Sequence, residues 1–276
     1  MKQRELQFPG SQDASLFGRA WLPEAAPRAV IVISHGLAEH GGRYAELATR
    51  LAGKGYAVYA IDHRGHGRSS GPRANIERFD YLVSDFGTFI GRAQREHPDT
   101  RVILFGHSMG GAVALACALK YHKVLRALVL SAPALAAGEA LPAFKVWMVN
   151  LLSAIAPNTG ALTLPAAAVS RDPAVVRAYE SDPLVFRGSI PARTLAELLL
   201  AMQRLQKTAH ELRLPVLVQH GTADLLVPLA AVYPIYQHLG VAKSRTLQVY
   251  EGLYHEVYNE PERDRVIGDL EAWLAG

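Results

Sequence analysis

The segment Val102-Ile103-Leu104-Phe105-Gly106-His107-Ser108-Met109-Gly110-Gly111 is an apolar run that stops at a serine with glycines two residues away on either side, and the helix-forming Ala112 to Leu119 follows at once. The pattern predicts a strand that turns sharply into a helix, straining Ser108 and holding it at the strand's C-terminal end with its Oγ exposed. Gly106 and Gly110 are required where the two backbones approach too closely for a Cβ. The plainer reading is a glycine-rich turn with an incidental serine. The strand on one side and the helix on the other weigh against it.

A serine hydroxyl is a poor nucleophile at neutral pH. It needs a base within hydrogen-bond reach, and the base needs a carboxylate to orient it. Behind a turn of this kind the acid comes first and the histidine second, each on a loop after a late strand. Pro215 to His220 is a short apolar run that ends in Gly221-Thr222-Ala223-Asp224, and Thr246 to Tyr250 ends in Glu251-Gly252-Leu253-Tyr254-His255. Asp224 and His255 are therefore the candidate acid and base. Competitors are few. The strand Ala127 to Ser131 is followed by no acid until Glu139, and His35, His63, His66 and His220 sit beside strand ends, where loop-ordering hydrogen bonds account for them. Acyl transfer also needs two backbone N–H donors for the developing oxyanion. Met109, next to the serine, is one candidate. Leu37, in the loop His35 to Tyr44 after the strand Ala29 to Ser34, is the other.

With these residues in place the chain resembles the monoacylglycerol lipase family of the serine α/β-hydrolase superfamily, close to its bacterial and mycobacterial members. The likeness extends over nearly the whole chain. It is carried by His35 to Tyr44, Asp62 to Ser69, Gly106 to Gly111, Ser170 to Pro173, Tyr179 to Leu184, His220 to Asp224 and Tyr250 to His255, of which the H-G-x-x-E-H-x-x-R-Y pattern is the most specific. The resemblance implies Ser108, Asp224 and His255 as a catalytic triad, with Leu37 and Met109 as the oxyanion hole. It further implies that Glu39 and Arg43 pair near the glycerol headgroup, with Tyr179 as a substrate contact. Mammalian members carry several cysteines around the cap and pocket, whereas Cys117 is alone here, so thiol sensitivity does not carry over.

Composition agrees with one enzyme domain plus an insertion. A chain of 276 residues with 50% hydrophobic content can bury a large core. Its single cysteine excludes an internal disulfide framework, and its first residues lack an apolar signal segment, which predicts a cytoplasmic protein. Net charge is +4, but 29 basic side chains are scattered among 25 acids, so no nucleic-acid partner is expected. Oligomeric state is not encoded in any feature of the sequence.

Strands near 15–21, 29–34, 57–61, 102–107, 127–131, 216–220 and 246–250 alternate with helices near 43–54, 81–97, 109–121, 228–239 and 262–274. This predicts the α/β-hydrolase fold: a mostly parallel central sheet with helices on both faces and an early antiparallel edge strand at 5–8. The alternation breaks at 134–210, which divides the chain into core segments 1–133 and 211–276 around a helical cap. In the cap, Phe144, Trp147, Met148, Leu151, Leu152 and Ile155 share one helix face, with Val146 and Val149 widening it. Such a helix is too short and interrupted to span a bilayer. It is expected to roof the pocket, and on the stronger reading also to touch lipid aggregates at a membrane surface.

Other chemistries fail on spacing. Gly106 to Gly111 lacks the Lys-Ser/Thr of a phosphate loop, Gly65 to Gly71 misses the dinucleotide fingerprint, and His35 to His40 is one residue too long for H-x-x-E-H. Ser108 argues against the aspartate-nucleophile hydrolases that share this fold. No cofactor and no metal are implied. The sequence thus predicts a hydrolase of lipid carboxylic esters, monoacylglycerol foremost. A general carboxylesterase or lysophospholipase is the alternative, and a non-catalytic lipid-binding protein is the reading from a different class.

Overall fold

The apolar runs become strands buried on both faces. A computed structural model describes residues 1–136, 143–240 and 244–276; Glu139 lies outside them. Strands β1 (Lys2–Pro9), β2 (Ser15–Leu22), β3 (Ala29–Ser34), β4 (Tyr56–Asp62), β5 (Val102–His107), β6 (Leu125–Ser131), β9 (Val216–Gly221) and β10 (Arg245–Tyr250) form one sheet in the order β1-β2-β4-β3-β5-β6-β9-β10. From β4 to β10 every pairing is parallel. Both β1–β2 and β2–β4 are antiparallel, so β1 is the antiparallel-paired edge strand expected, longer than 5–8, and β2 alone runs against the direction of the others.

Alternation along each strand divides the core in two. Val30 and Val32 of β3, with Val102 and Leu104 of β5, pack on the face covered by α2 (Phe79–Glu96), α3 (Met109–Tyr121) and α7 (Leu229–His238). Ile31, Ile33, Ile103 and Phe105 pack on the other face, under α1 (Ala45–Gly53) and α8 (Arg263–Ala275). A sheet sealed on both sides reads as continuous hydrophobic runs. The helix predicted at 43–54 begins as a short 3-10 turn, Gly41–Tyr44, because the His40 ring accepts the Gly42 N–H at 3.1 Å and caps it there.

Between β6 and β9 lie α4 (Ala143–Ile155), β7 (Gly160–Leu162), α5 (Pro173–Ser181), β8 (Ile190–Pro191) and α6 (Ala192–Thr208), with β7 and β8 paired apart from the main sheet. Two of these helices, α5 and α6, were not foreseen as elements. Asp172 caps α5 by accepting the Ala174 N–H at 2.8 Å, with Pro173 opening the helix. The insertion is tied to the core at several points. The Phe186 N–H donates to the Ala38 carbonyl (2.8 Å), the Glu256 N–H to the Val169 carbonyl (2.8 Å), and the His40 ring pairs with Asp182 at 2.8 Å. Helix α4 packs on α6 through its narrower side, where Ser153 is buried. Its predicted apolar stripe is left open to solvent, Trp147 being 63% exposed and Ile155 72%. Among the described residues no helix is long and apolar enough to cross a membrane.

Candidate active site

The C-terminal ends of β3, β5, β6, β9 and β10 lie along one edge of the sheet, and the loops after β3, β5, β9 and β10 carry the candidate residues. Ser108 follows β5 with φ 52° and ψ −121°, in the left-handed half of backbone space that a residue with a Cβ normally avoids. Glycine is obligatory on both sides for the reason inferred from the sequence. A Cβ at Gly106 would strike the Gly110 carbonyl and Ala114, and one at Gly110 would strike the carbonyls of Ser34 and His35.

The loops after β9 and β10 are laced together. Thr222 N–H donates to the Tyr250 carbonyl (2.9 Å), Ala223 N–H to the Leu253 carbonyl (3.0 Å) and Gly252 N–H to Thr222 Oγ1 (2.8 Å). This sets His255 Nδ1 2.7 Å from Asp224 Oδ2, while Asp224 Oδ1 accepts the N–H groups of Leu226 and Val227, both at 2.9 Å. Burial pushes the Asp224 carboxyl up, but the charge of His255 and the hydrogen bonds from His220, His255 and Val227 outweigh it and hold the group far below the usual carboxylate range. Asp224 therefore remains an acceptor, and Nδ1 of His255 keeps its proton, which leaves Nε2 free to act as base.

Ser108, Met109, Leu37, His255, Glu39 and Tyr179 all line one cavity of about 1120 Å³, at the upper end of the range for small-molecule sites. Neither the Leu37 nor the Met109 amide donates to a backbone acceptor among the described residues. Leu37 is positioned through its neighbour, because the Gly36 N–H donates to Glu39 Oε1 at 2.6 Å. Away from Ser108 the cavity is walled by apolar side chains of α4 and α6, including Trp147, Leu151, Leu198 and Met202.

Glu39 and Arg43 do pair, at 2.9 Å, and Tyr44 donates to Glu39 at 2.8 Å. The larger partner of Arg43 escaped the sequence reading. Glu256, adjacent to His255, takes the guanidinium in two bonds of 2.5 and 2.7 Å and accepts from Asn259 at 2.8 Å. An acid directly after the candidate base was the signal available. Burial would raise both glutamates, yet Arg43 outweighs it and keeps both below the usual range. The Arg43 guanidinium also lies over the Tyr179 ring, 4.8 Å from its centroid. His107 is a second residue not foreseen. Its ring is 4.6 Å from that of His255, and burial together with His255 pushes it down to about 4, so it is neutral at physiological pH.

The remaining histidines keep the structural role read from the sequence. His35 accepts the His63 N–H at 2.9 Å, His63 bonds Ser34 Oγ at 2.7 Å, the His66 ring bonds the Arg64 carbonyl at 2.9 Å, and His220 bonds the Val227 carbonyl at 2.8 Å. Cys117 is buried in α3, where burial pushes its thiol well up. Among the described residues no group of His, Cys, Asp or Glu is arranged to hold a metal ion.

A mostly parallel eight-stranded sheet with helices on both faces and a strained serine at the end of its central strand defines an α/β-hydrolase. The chain belongs to the hydrolase family described as "Serine aminopeptidase, S33", whose profile matches residues 25–262. It is 40% identical over 270 residues to the monoacylglycerol lipase of Mycolicibacterium smegmatis, spanning 98% of this chain and 96% of that protein. It is also 35% identical over 263 residues to the monoglyceride lipase of Homo sapiens, spanning 94% and 86%. Among solved structures, the monoacylglycerol lipase of Paleococcus ferrophilus has a TM-score of 0.81 and 31% identity, covering 99% of this chain and 98% of that one.

Proposed function

We propose that this protein hydrolyses carboxylic esters of lipids, monoacylglycerol foremost, through an acyl-enzyme on Ser108. The observation that carries the reading is that Ser108 and His255, the latter bonded to the buried Asp224, line one largely apolar cavity. Ser108 Oγ attacks the ester carbonyl carbon as His255 takes its proton, and the amides of Leu37 and Met109 receive the oxyanion. Collapse breaks the bond to the glycerol oxygen, to which His255 returns the proton. Water, activated by the same histidine, then releases the fatty acid. The apolar wall suits an acyl chain, and the polar end at Glu39, Arg43 and Tyr179 suits the glycerol hydroxyls. Side-by-side kcat/KM values on monoacylglycerol, triacylglycerol and lysophospholipid test this. Monoacylglycerol is expected to lead, and equal or higher values on lysophospholipid would favour the alternative esterase.

In this reading residues 134–210 are the cap, and the open stripe of α4 is where the enzyme meets lipid. Exposed apolar side chains clustered at a cavity mouth suit a surface from which an insoluble substrate enters. Replacing Trp147 and Leu151 with Ser removes about 1.5–3 kcal/mol of burial per side chain, so liposome association is expected to fall by about tenfold or more. Activity on a short water-soluble ester is expected to fall much less. Equal losses on both substrates would assign these residues to the pocket roof alone, and unchanged liposome binding would remove the membrane contact.

A further inference from the structure

The base that protonates the leaving oxygen fixes where the headgroup lies. If His255 hands its proton to the departing alcohol, that alcohol sits on the His255 side of Ser108, where Glu39, Tyr179 and Glu256 line the cavity. Both glutamates are among the residues that line the cavity. Arg43 stands behind them, its NH1 shared between Glu39 and Glu256, its NH2 on Glu256 and its face on Tyr179. One guanidinium therefore faces two buried carboxylates, and Asp224 adds a third beneath His255. Among the described residues the one Lys or Arg that lines the cavity is Lys145, exposed on α4. The Tyr179 hydroxyl has no protein partner among the described residues and is available to a neutral hydroxyl group.

We propose that Glu256, acting with Glu39 against the single Arg43, gives the headgroup end of the cavity a net negative charge and so selects uncharged polyol esters over those bearing a phosphate. The proposal rests on the ester-hydrolase reading above and narrows its substrate class. An Arg43–Glu39 pair, four residues apart where the loop after β3 enters the 3-10 turn, would by itself neutralise this end and hold the oxyanion loop. Glu256 adds a charge beside the reacting base that no second cation cancels. In a site where protein replaces part of the water such a charge is screened less than in bulk solvent, and repulsion of the wrong ligand is an effective source of specificity.

The test compares kcat/KM for a 1-monoacylglycerol with that for the same acyl chain on glycerol 3-phosphate, in the wild type, Glu256→Gln and Glu256→Asp. The wild type is expected to favour the neutral ester by at least about 100-fold, Glu256→Gln to narrow that ratio by about tenfold, and Glu256→Asp to retain it. A purely structural role would disturb both variants and leave the ratio unchanged. Should the Gln variant not fold, the wild-type ratio at pH 8 and pH 5 reads the same repulsion from the substrate side, because the phosphate loses about one charge near pH 6. Any effect of pH on the machinery common to both substrates cancels in the ratio, which is expected to shrink at pH 5. Hydrolysis of the neutral ester with a ratio unaltered by Glu256→Gln, or by pH, overturns this proposal alone. Failure of the wild type on both substrates would instead bring down the ester-hydrolase reading beneath it.

Discussion

Replacing Ser108 with Ala is expected to lower kcat on any ester by about 10⁶-fold, the order of loss when the nucleophile of a serine hydrolase is removed. The fold should survive. Alanine has the same Cβ as serine, so the cost of φ 52° is unchanged, and the backbone bonds that hold the turn, Ser108 N–H to the Ser131 carbonyl at 3.0 Å and Ala134 N–H to the Ser108 carbonyl at 2.9 Å, do not involve the hydroxyl. Thermal unfolding of the two proteins should therefore coincide within a few degrees. An alanine variant with near-wild-type turnover would remove Ser108 from the chemistry, and one that unfolds would show that the hydroxyl supports the turn.

Asp224→Asn is expected to cost about 10⁴-fold in kcat with the site geometry intact. An amide in place of Oδ2 would present either an oxygen without charge or an N–H facing the N–H of His255 across the present 2.7 Å contact. In the second case the imidazole turns over its tautomer and loses the lone pair that serves Ser108. In the first it keeps the tautomer but loses the charge that stabilises the imidazolium formed during attack. Since the Asp224 carboxyl is held far below the usual range, it stays ionised as pH falls, and its hold on His255 is kept through the acidic range in which ordinary carboxylates protonate. Near-wild-type activity in Asp224→Asn, with another carboxylate proving essential, would overturn the assignment of the acid.

What could be read from the sequence divides along physical lines. Strands buried on both faces, such as β3 and β5, announce themselves as unbroken apolar runs, and the glycines at 106 and 110 mark a close approach that no other residue permits. Asp224 and His255 follow because strand ends in a parallel sheet converge on one edge. Glu256 did not follow, since its importance lies in Arg43, a residue more than two hundred positions away, and only the folded chain puts them together. The insertion was the hardest part. Leu198, Ala201 and Leu205 of α6 recur at helical spacing and do bury, so that helix was legible in principle, but the conspicuous stripe of α4 drew attention from it. The residues of that stripe line the cavity, and Trp147 and Ile155 also stay open to solvent. Helical periodicity reveals an apolar face without saying what covers it.

The central claim, that one serine is activated by this constellation, is tested most directly by treating the protein with a fluorophosphonate and mapping the adduct by peptide mass. A stoichiometric label on Ser108, absent from the Ser108→Ala variant and strongly slowed in Asp224→Asn, is the predicted result. Labelling of a different serine, or of the alanine variant at the wild-type rate, would contradict it.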